Sequence, residues 1–390
     1  MIKGEYPLEL FDSQRTPFYY YNTALLRDTL EEIRSQLNRC PDWQVHYAIK
    51  ANFNPEILRI IAKYGFGADC VTGGEIDAAL DAGFSPTGIV YAGVGKRDEE
   101  IILGLKVGIR RFNVESTAEL CVINNLALSL GKIAPVSFRV NPDVGAHTHA
   151  NITTGLAENK FGIHHSMLKD AVQLANALPG IEFCGLHFHI GSQILDMSDF
   201  VALSNRINQC LEQMDTMGIK VKDVNVGGGL GIEYEHPNHL PIADFASYFQ
   251  VFKKHLNTKL PVHFELGRSI VAPCGTLISR VLYVKEGLNR KFAILDASMT
   301  ELIRPALYHA YHRIENISSD EPEEKYDVVG PVCESSDVFG SSVMLNKCHR
   351  GDFIVIRSAG AYGESMASHY NCRPFPDYYL SDKKIGYVEK

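Results

Sequence analysis

Eight short runs rich in apolar and β-branched residues recur along the first two-thirds of the chain. They are VHYAI (45–49), GADCV (67–71), IVYAG (89–93), RFNVE (111–115), VSFRV (136–140), CGLHFHI (184–190), DVNVG (223–227) and VHFEL (262–266). Stretches with mostly helical patterning separate them. Asn54 to Tyr64 and Gly74 to Ala82 read as the first two crossover helices. TALLRDTLEEIRSQL (23–37) reads as an amphipathic helix leading into the first run, with Thr23 as its N-cap. Strands alternating with helices imply parallel βα units, and eight of them close into a TIM-like (β/α)8 barrel. Lys50, Asp69, Arg139, His189, the triplet Gly227-Gly228-Gly229 and Glu265 all fall at or near the C-terminal ends of these runs. In such barrels the chemistry sits on the loops at that end.

The pattern holds to about Gly267 and then changes. KFAILDAS (291–298), YDVVGPVC (326–333) and GDFIVIRSAG (351–360) read as strands joined by turns, without regular helices between them. Near the N-terminus, YPLELFDSQRTPFYYYN also reads as extended, and a strand from there can join such a sheet. The expected architecture is α/β: a barrel over 23–267, and a mainly β domain built from 1–22 together with 268–390. One stretch breaks the barrel rhythm. DVGAHTHANITTGLAENKFGIH (143–164) is too long and too mixed for a simple loop, and long insertions at this barrel face are usually functional.

Bulk properties narrow the function. An apolar content of 45% in 390 residues supports a large core. The net charge of −8 comes without a block of like charge, which argues against nucleic acid or a membrane surface as the main partner. Asp320-Glu321-Pro322-Glu323-Glu324 reads as a solvated loop. MIKGEYPLELFD lacks the basic-then-apolar pattern of a signal peptide, and no apolar run approaches ~18 residues. Nine cysteines form no CxxC pair and no metal-spaced cluster, which fits reduced thiols in a cytoplasmic protein.

Three features carry candidate chemistry. Lys50 ends an apolar strand, where partial burial would depress its pKa and free a neutral amine to condense with a carbonyl. The glycine triplet after the seventh run can adopt positive φ and turn backbone N–H groups toward an anion, and phosphate sites in these barrels favour the loops after strands seven and eight. Glu265 sits inside a strand end and needs a partner: an ion pair with Arg268, or the protonated nitrogen of a pyridine ring. His187 and His189 alternate along one strand and so face one way. With His147 and His149 they could ligate a metal, but nothing supplies a closed, consistently spaced site, and no metal is expected.

Together these strings resemble the fold-type III pyridoxal-phosphate decarboxylases, and among them the diaminopimelate decarboxylase family, over nearly the whole chain. The resemblance implies an alanine racemase-like fold and pyridoxal 5'-phosphate as cofactor. YAIKAN is similar to the family's Schiff-base motif, which gives that role to Lys50. HFHIGSQ is similar to the motif whose second histidine, here His189, stacks on the ring, with Ser192 near the phosphate. NVGGGLGI resembles the phosphate-binding glycines, here Gly228 and Gly229. ELGRS resembles the glutamate–arginine motif, which puts Glu265 on the pyridine nitrogen and Gly267 and Arg268 beside the cofactor. GAYG resembles the motif whose tyrosine, Tyr362, contacts the phosphate. Asp69 and Arg139 complete the cofactor set.

A second set implies the substrate, a small amino acid with a D-centre: meso-diaminopimelate. Arg268, Arg304 and Tyr308 (in IRPALYHAYH), Glu334 (in GPVCESSD) and Tyr362 match the family's substrate-binding positions. Guanidinium forks suit its carboxylates, and a glutamate suits its ammonium. GPVCESSD resembles a segment that reaches into a neighbouring subunit's site, so Cys333 and Glu334 imply a homodimer with shared active sites. THANITTGLAENKFGI resembles the family's insertion over the site. The departures are His369, Cys372, Phe53 and Pro273-Cys274, none of which removes a catalytic group. The implied activity is decarboxylation to L-lysine, with Lys50, Glu265 and Cys333 as the catalytic residues. Three alternatives remain at this level. An amino-acid racemase would want a weaker partner than Glu265 on the ring. A polyamine-pathway decarboxylase acting on ornithine, arginine or carboxynorspermidine would leave Arg304 and Tyr308 idle. A non-catalytic homologue would not need Lys50.

Overall fold

The computed structural model describes residues 6–142 and 160–382. Most of the 143–164 insertion, including His147 and His149, lies outside the described residues. The chain divides into two compact units: Leu30–Gly231 with Asp244–Arg268, and Met1–Thr29 with Ile232–Ala243 and Ser269–Lys390.

Strand β1 (Phe18–Tyr21) belongs to the second unit. The first unit contains β2 (Trp43–Ala48), β3 (Gly67–Cys70), β4 (Ile89–Tyr91), β5 (Arg111–Val114), β6 (Ala134–Asn141), β7 (Ile163–His164), β8 (Ile181–His187), β9 (Asp223–Asn225) and β10 (Val262–Leu266). The sheet order β5-β4-β3-β2-β10-β9-β8-β6 closes through a β5–β6 pairing, and every pairing is parallel. All eight runs are therefore strands of one closed barrel, with β7 a short addition beside β6. Crossover helices start where side-chain caps allow. Asn54 accepts from Glu56 N, Thr72 from Glu75 N and Ser116 from Glu119 N. The helix Pro55–Ala62 buries Ile57, Leu58, Ile60 and Ile61, each contributing about 1.5–3 kcal/mol.

Two local expectations differ from the structure. Thr23 is the first residue of the helix Thr23–Leu37, and Asn22 caps it by accepting from Leu25 N at 3.0 Å. The N-terminal stretch is not wholly extended, because Leu8–Asp12 is a short helix preceded by Pro7. Its Phe11 is fully buried among Phe18, Tyr20 and Phe353, with ring centroids 5.2–5.9 Å apart, and that burial outweighs the local preference for an extended chain.

The second unit is a mixed eight-stranded sheet. It contains β1, β11 (Gly275–Glu286), β12 (Lys291–Leu295), β13 (Ile314–Asn316), β14 (Glu323–Val329), β15 (Val338–Asn346), β16 (Phe353–Ile356) and β17 (Asp377–Leu380). The N-terminal strand does join the sheet: β1 runs antiparallel to β11 and parallel to β17. The fold is thus a TIM-like barrel plus a mainly β domain that includes the N-terminal strand.

Candidate active site

Lys50 follows β2 on a single 3-10 turn, Ile49–Ala51. Its side chain is 43% exposed and its Nζ lies 3.8 Å from Asp69 Oδ2. The expected burial of this amine is not found, because the turn carries it past the apolar strand to the rim of the barrel. Asp69, in β3, is buried, and its Oδ1 finds no hydrogen-bond partner among the described residues. Burial, reinforced by the nearby charge of Glu265, pushes its carboxyl up to about 8.

Glu265 is the best-held carboxylate at this end. Its Oε1 accepts from Asn225 Nδ2 at 2.7 Å and from Asn113 Nδ2 at 3.2 Å, and its Oε2 lies 2.8 Å from His187 Nε2. Burial alone would raise its pKa. The charge and hydrogen bond of His187, then His189 and Lys50, overturn that and hold it well below the usual carboxylate range. Arg268 is therefore not its ion-pair partner. The Arg268 guanidinium donates instead to Ser192 Oγ, from both Nε and Nη2 at 3.2 Å.

The glycine turn is required by close approach. A Cβ on Gly228 would collide with the Glu265 carbonyl, and Gly227 and Gly229 have φ of 73° and 112°. Gly227 N donates to Asn225 Oδ1 at 2.9 Å, and Gly228 N faces His189 Nδ1 at 3.3 Å. Two of the three N–H groups are thus engaged inside the protein, and the triplet supplies space as much as donors. Burial, with Arg139 and Lys50 nearby, holds His189 well below the ordinary histidine pKa. Gly267 has a packing reason of its own, since a Cβ there would press on Ala51 and Ala48 beside Lys50. Arg139 donates to Glu115 Oε1 at 2.9 Å and lies over the Phe161 ring. Glu115 Oε2 also accepts from Gly162 N at 2.7 Å.

Asn113, Glu115 and Asn225 were not singled out from the sequence, and His187 was weighed there only as a metal ligand. A signal for two of them, Asn113 and Asn225, was present. Arg111/Asn113, Asp223/Asn225 and His263/Glu265 are polar pairs two residues apart within short strands, and that period places both members on one face.

The β unit holds the other candidates. Arg304, at the start of the helix Arg304–Tyr308, is buried. Its Nη1 donates to Tyr234 Oη at 3.0 Å and to His312 Nε2 at 2.7 Å, and His312 Nδ1 in turn donates to the Arg357 carbonyl. Tyr234 and His312 thus position this arginine, and neither was anticipated. Tyr308, at the end of that helix, is half-buried. Cys333 and Glu334 are exposed on a loop whose base is fixed by Asp337, which accepts from Val332 N and Met299 N. Tyr370 donates to Glu334 Oε1. Tyr362 is half-buried with φ of 57°. His369 donates from Nδ1 to the Arg373 carbonyl and packs on Phe375, while Cys372 and Phe53 are exposed and Cys274 is buried.

The barrel mouth fits pyridoxal phosphate. Glu265 suits a pyridinium nitrogen, Asp69 Oδ1 is a polar atom without a partner among the described residues, and the turn at Gly227–Gly229 leaves no room for side chains. Residues 25–272 match the pyridoxal-binding domain of the pyridoxal-dependent decarboxylases. A diaminopimelate decarboxylase from Bacteroides thetaiotaomicron is 59% identical, with 98% of this chain and 100% of that protein aligned. The chain belongs to the diaminopimelate decarboxylase family. A Helicobacter pylori diaminopimelate decarboxylase is 41% identical over 98% of this chain and 94% of its own length. The crystal structure of diaminopimelate decarboxylase from Helicobacter pylori complexed with L-lysine superposes with a TM-score of 0.92 at 40% identity, covering 97% of this chain and 94% of that one. A viral arginine decarboxylase, 20% identical with a TM-score of 0.85, shares the fold. Membership of the diaminopimelate decarboxylase family makes the protein a pyridoxal-dependent carboxy-lyase. No helix among the described residues is long and apolar enough to cross a membrane.

Proposed function

We propose that this protein decarboxylates meso-2,6-diaminopimelate at its D-centre to give L-lysine and CO2, the last step of lysine synthesis. The observation that carries the reading is Glu265: a buried, ionised carboxylate clamped by three donors at the mouth of a barrel whose first strand delivers Lys50. When bound there, pyridoxal phosphate supplies an electron sink for the pair left as CO2 departs. Glu265 would keep a proton on the ring nitrogen, Lys50 Nζ would be the point of attachment, and His189 would stack on the ring. Asp69 and Arg139 would complete the cofactor set, and by the family resemblance Ser192, Gly228, Gly229, Gly267, Arg268 and Tyr362 would serve its phosphate. Arg268, Arg304, Tyr308 and Tyr362 hold the carboxylates of the substrate, and Glu334 takes its distal ammonium. The resemblance of GPVCESSD to a segment that reaches a neighbouring subunit's site supports a homodimer with shared sites, and the exposure of Cys333 and Glu334 is compatible with it. The new proton at Cα comes from Lys50 or from Cys333 of the partner subunit. Nine free thiols, five of them buried, support a reducing cytoplasmic location.

The test is CO2 release with pyridoxal phosphate in excess, from meso-diaminopimelate, L,L-diaminopimelate, ornithine and arginine in parallel. Turnover of the meso isomer with lysine as product is expected. Release from ornithine or arginine alone would keep the fold and cofactor and overturn the roles given to Arg304, Tyr308 and Glu334.

A further inference from the structure

The mouth of the barrel buries two carboxylates and treats them differently. Asp69 has one lysine at 3.8 Å and a bare Oδ1, and burial leaves it holding its proton. Glu265 is also buried but has three donors. The two asparagines both serve Oε1. The orientation of the Asn225 amide is fixed independently, because its Oδ1 accepts from Gly227 N and its Nδ2 must then point at Glu265. Oε2 has a single protein donor among the described residues, His187 Nε2. A carboxylate oxygen only accepts, so Nε2 carries the hydrogen. The other ring nitrogen, Nδ1, is buried and has no partner among the described residues. Leaving a buried nitrogen unsatisfied costs free energy, and a purely structural histidine would be placed to satisfy both. This ring is aimed at one atom.

We infer that His187 is a positioning residue for the reaction: its Nε2–H orients Glu265 Oε2 and keeps that carboxylate charged, so that the cofactor's ring nitrogen stays protonated. Without the donor, Oε2 would be a buried, unpaired charge, and Glu265 would take up a proton as Asp69 does. A neutral Glu265 can still hydrogen-bond a pyridine nitrogen, but it no longer favours the pyridinium. The inference rests on the reading of Glu265 as the ring-nitrogen partner.

The test compares H187Q with H187N. The glutamine amide reaches the Nε2 position, whereas the asparagine amide reaches only the Nδ1 position and falls short of Glu265. Each purified holoenzyme is loaded with pyridoxal phosphate labelled with 15N in the ring, and the nitrogen resonance is recorded without substrate. Steady-state kinetics on meso-diaminopimelate and thermal unfolding accompany it. Wild type and H187Q are expected to show the protonated resonance, and H187N the unprotonated one. The kcat of H187N should fall roughly 10–100-fold, the range for losing a charge-assisted hydrogen bond, with KM within about threefold and folding intact. H187Q should recover most of that loss. A protonated ring nitrogen in H187N, or equal impairment of both variants, would overturn the inference. Wild type that loads the cofactor but releases no CO2 from meso-diaminopimelate would instead overturn the proposed function, and the nitrogen resonance would still read the role of His187.

Discussion

On strand β10, His263 and Glu265 lie two residues apart, and the two ends of the barrel treat them in opposite ways. At the floor, Arg110 Nη2 donates to His263 Nε2 at 2.9 Å. That fixes the rest of the chain: His263 Nδ1 donates to His46 Nε2 at 2.9 Å, and His46 Nδ1 donates to the Gly88 carbonyl at 2.9 Å. Both imidazoles are neutral, pushed by burial down to about 2 for His263 and about 4 for His46. The carboxylate of this group, Asp223, is taken by Arg111 and Arg110. At the mouth the imidazole of His187 faces a carboxylate instead of an arginine, and that carboxylate carries charge. The same residue types on the same strands thus make a charge-neutral relay at one end and a charged clamp at the other. What decides is whether the buried ring meets a fixed cation or an anion.

The largest effect should come from the floor. Removing the shared carboxylate by Asp223→Ala leaves Arg111 and Arg110 inside the barrel without their anion. Breaking a buried pair from one side costs about 3–5 kcal/mol. Chemical denaturation should show that loss, while kcat per folded molecule stays at the wild-type level. A tenfold drop in kcat at unchanged stability would mean that the floor belongs to the reaction. Glu265→Gln is the converse experiment at the mouth. It keeps the shape and removes the charge, and kcat should fall roughly 10²–10³-fold, as when a preorganised electrostatic partner is lost. Its denaturation midpoint should move little, because the buried charge it removes was itself costly to hold. If stability collapses instead, Glu265 is chiefly a structural anchor and the contrast between the two ends fails.

The same contrast explains what could be read from the chain. Strand existence was legible because buried parallel strands are near-continuous apolar runs, and all eight were found. The chemistry at strand ends was legible because Lys50, the glycine triplet and Glu265 are odd residues in apolar surroundings. The floor was not read at all. Its packing requirement falls on two glycines: a Cβ on Gly67 would collide with the His46 ring, and one on Gly185 with Asp223. They mark where polar rings and carboxylates needed room. In the β unit, strands of mixed exposure such as β15, VFGSSVMLN, alternate too irregularly to stand out. The β-bulge shifts in the β14–β15 pairing are the structural reason. Tyr234 and His312 could not be linked to Arg304 because the link is tertiary, across 70 residues in the case of Tyr234.

The smallest effect, and the sharpest on sign, is the pH dependence of stability. A histidine in the unfolded chain titrates near 6.5. The folded floor refuses those protons until about pH 4 at His46 and about 2 at His263. Between roughly pH 6.5 and 4 the unfolded state binds more protons, so stability falls as pH drops, by up to about 1.4 kcal/mol per unit for each histidine. Asp69 has the opposite sign. Its folded pKa of about 8 lies above the unfolded value of 3.8, so its contribution is complete below 3.8 and is lost as pH rises toward 8. Urea unfolding of the cofactor-free protein from pH 4.5 to 8 should show both limbs. His46→Gln should flatten only the acid limb, and Asp69→Asn only the alkaline one. A single substitution that flattens both would show that floor and mouth titrate as one network. The barrel would then have one electrostatic interior, and the neutral relay below could not be separated from the charged clamp above.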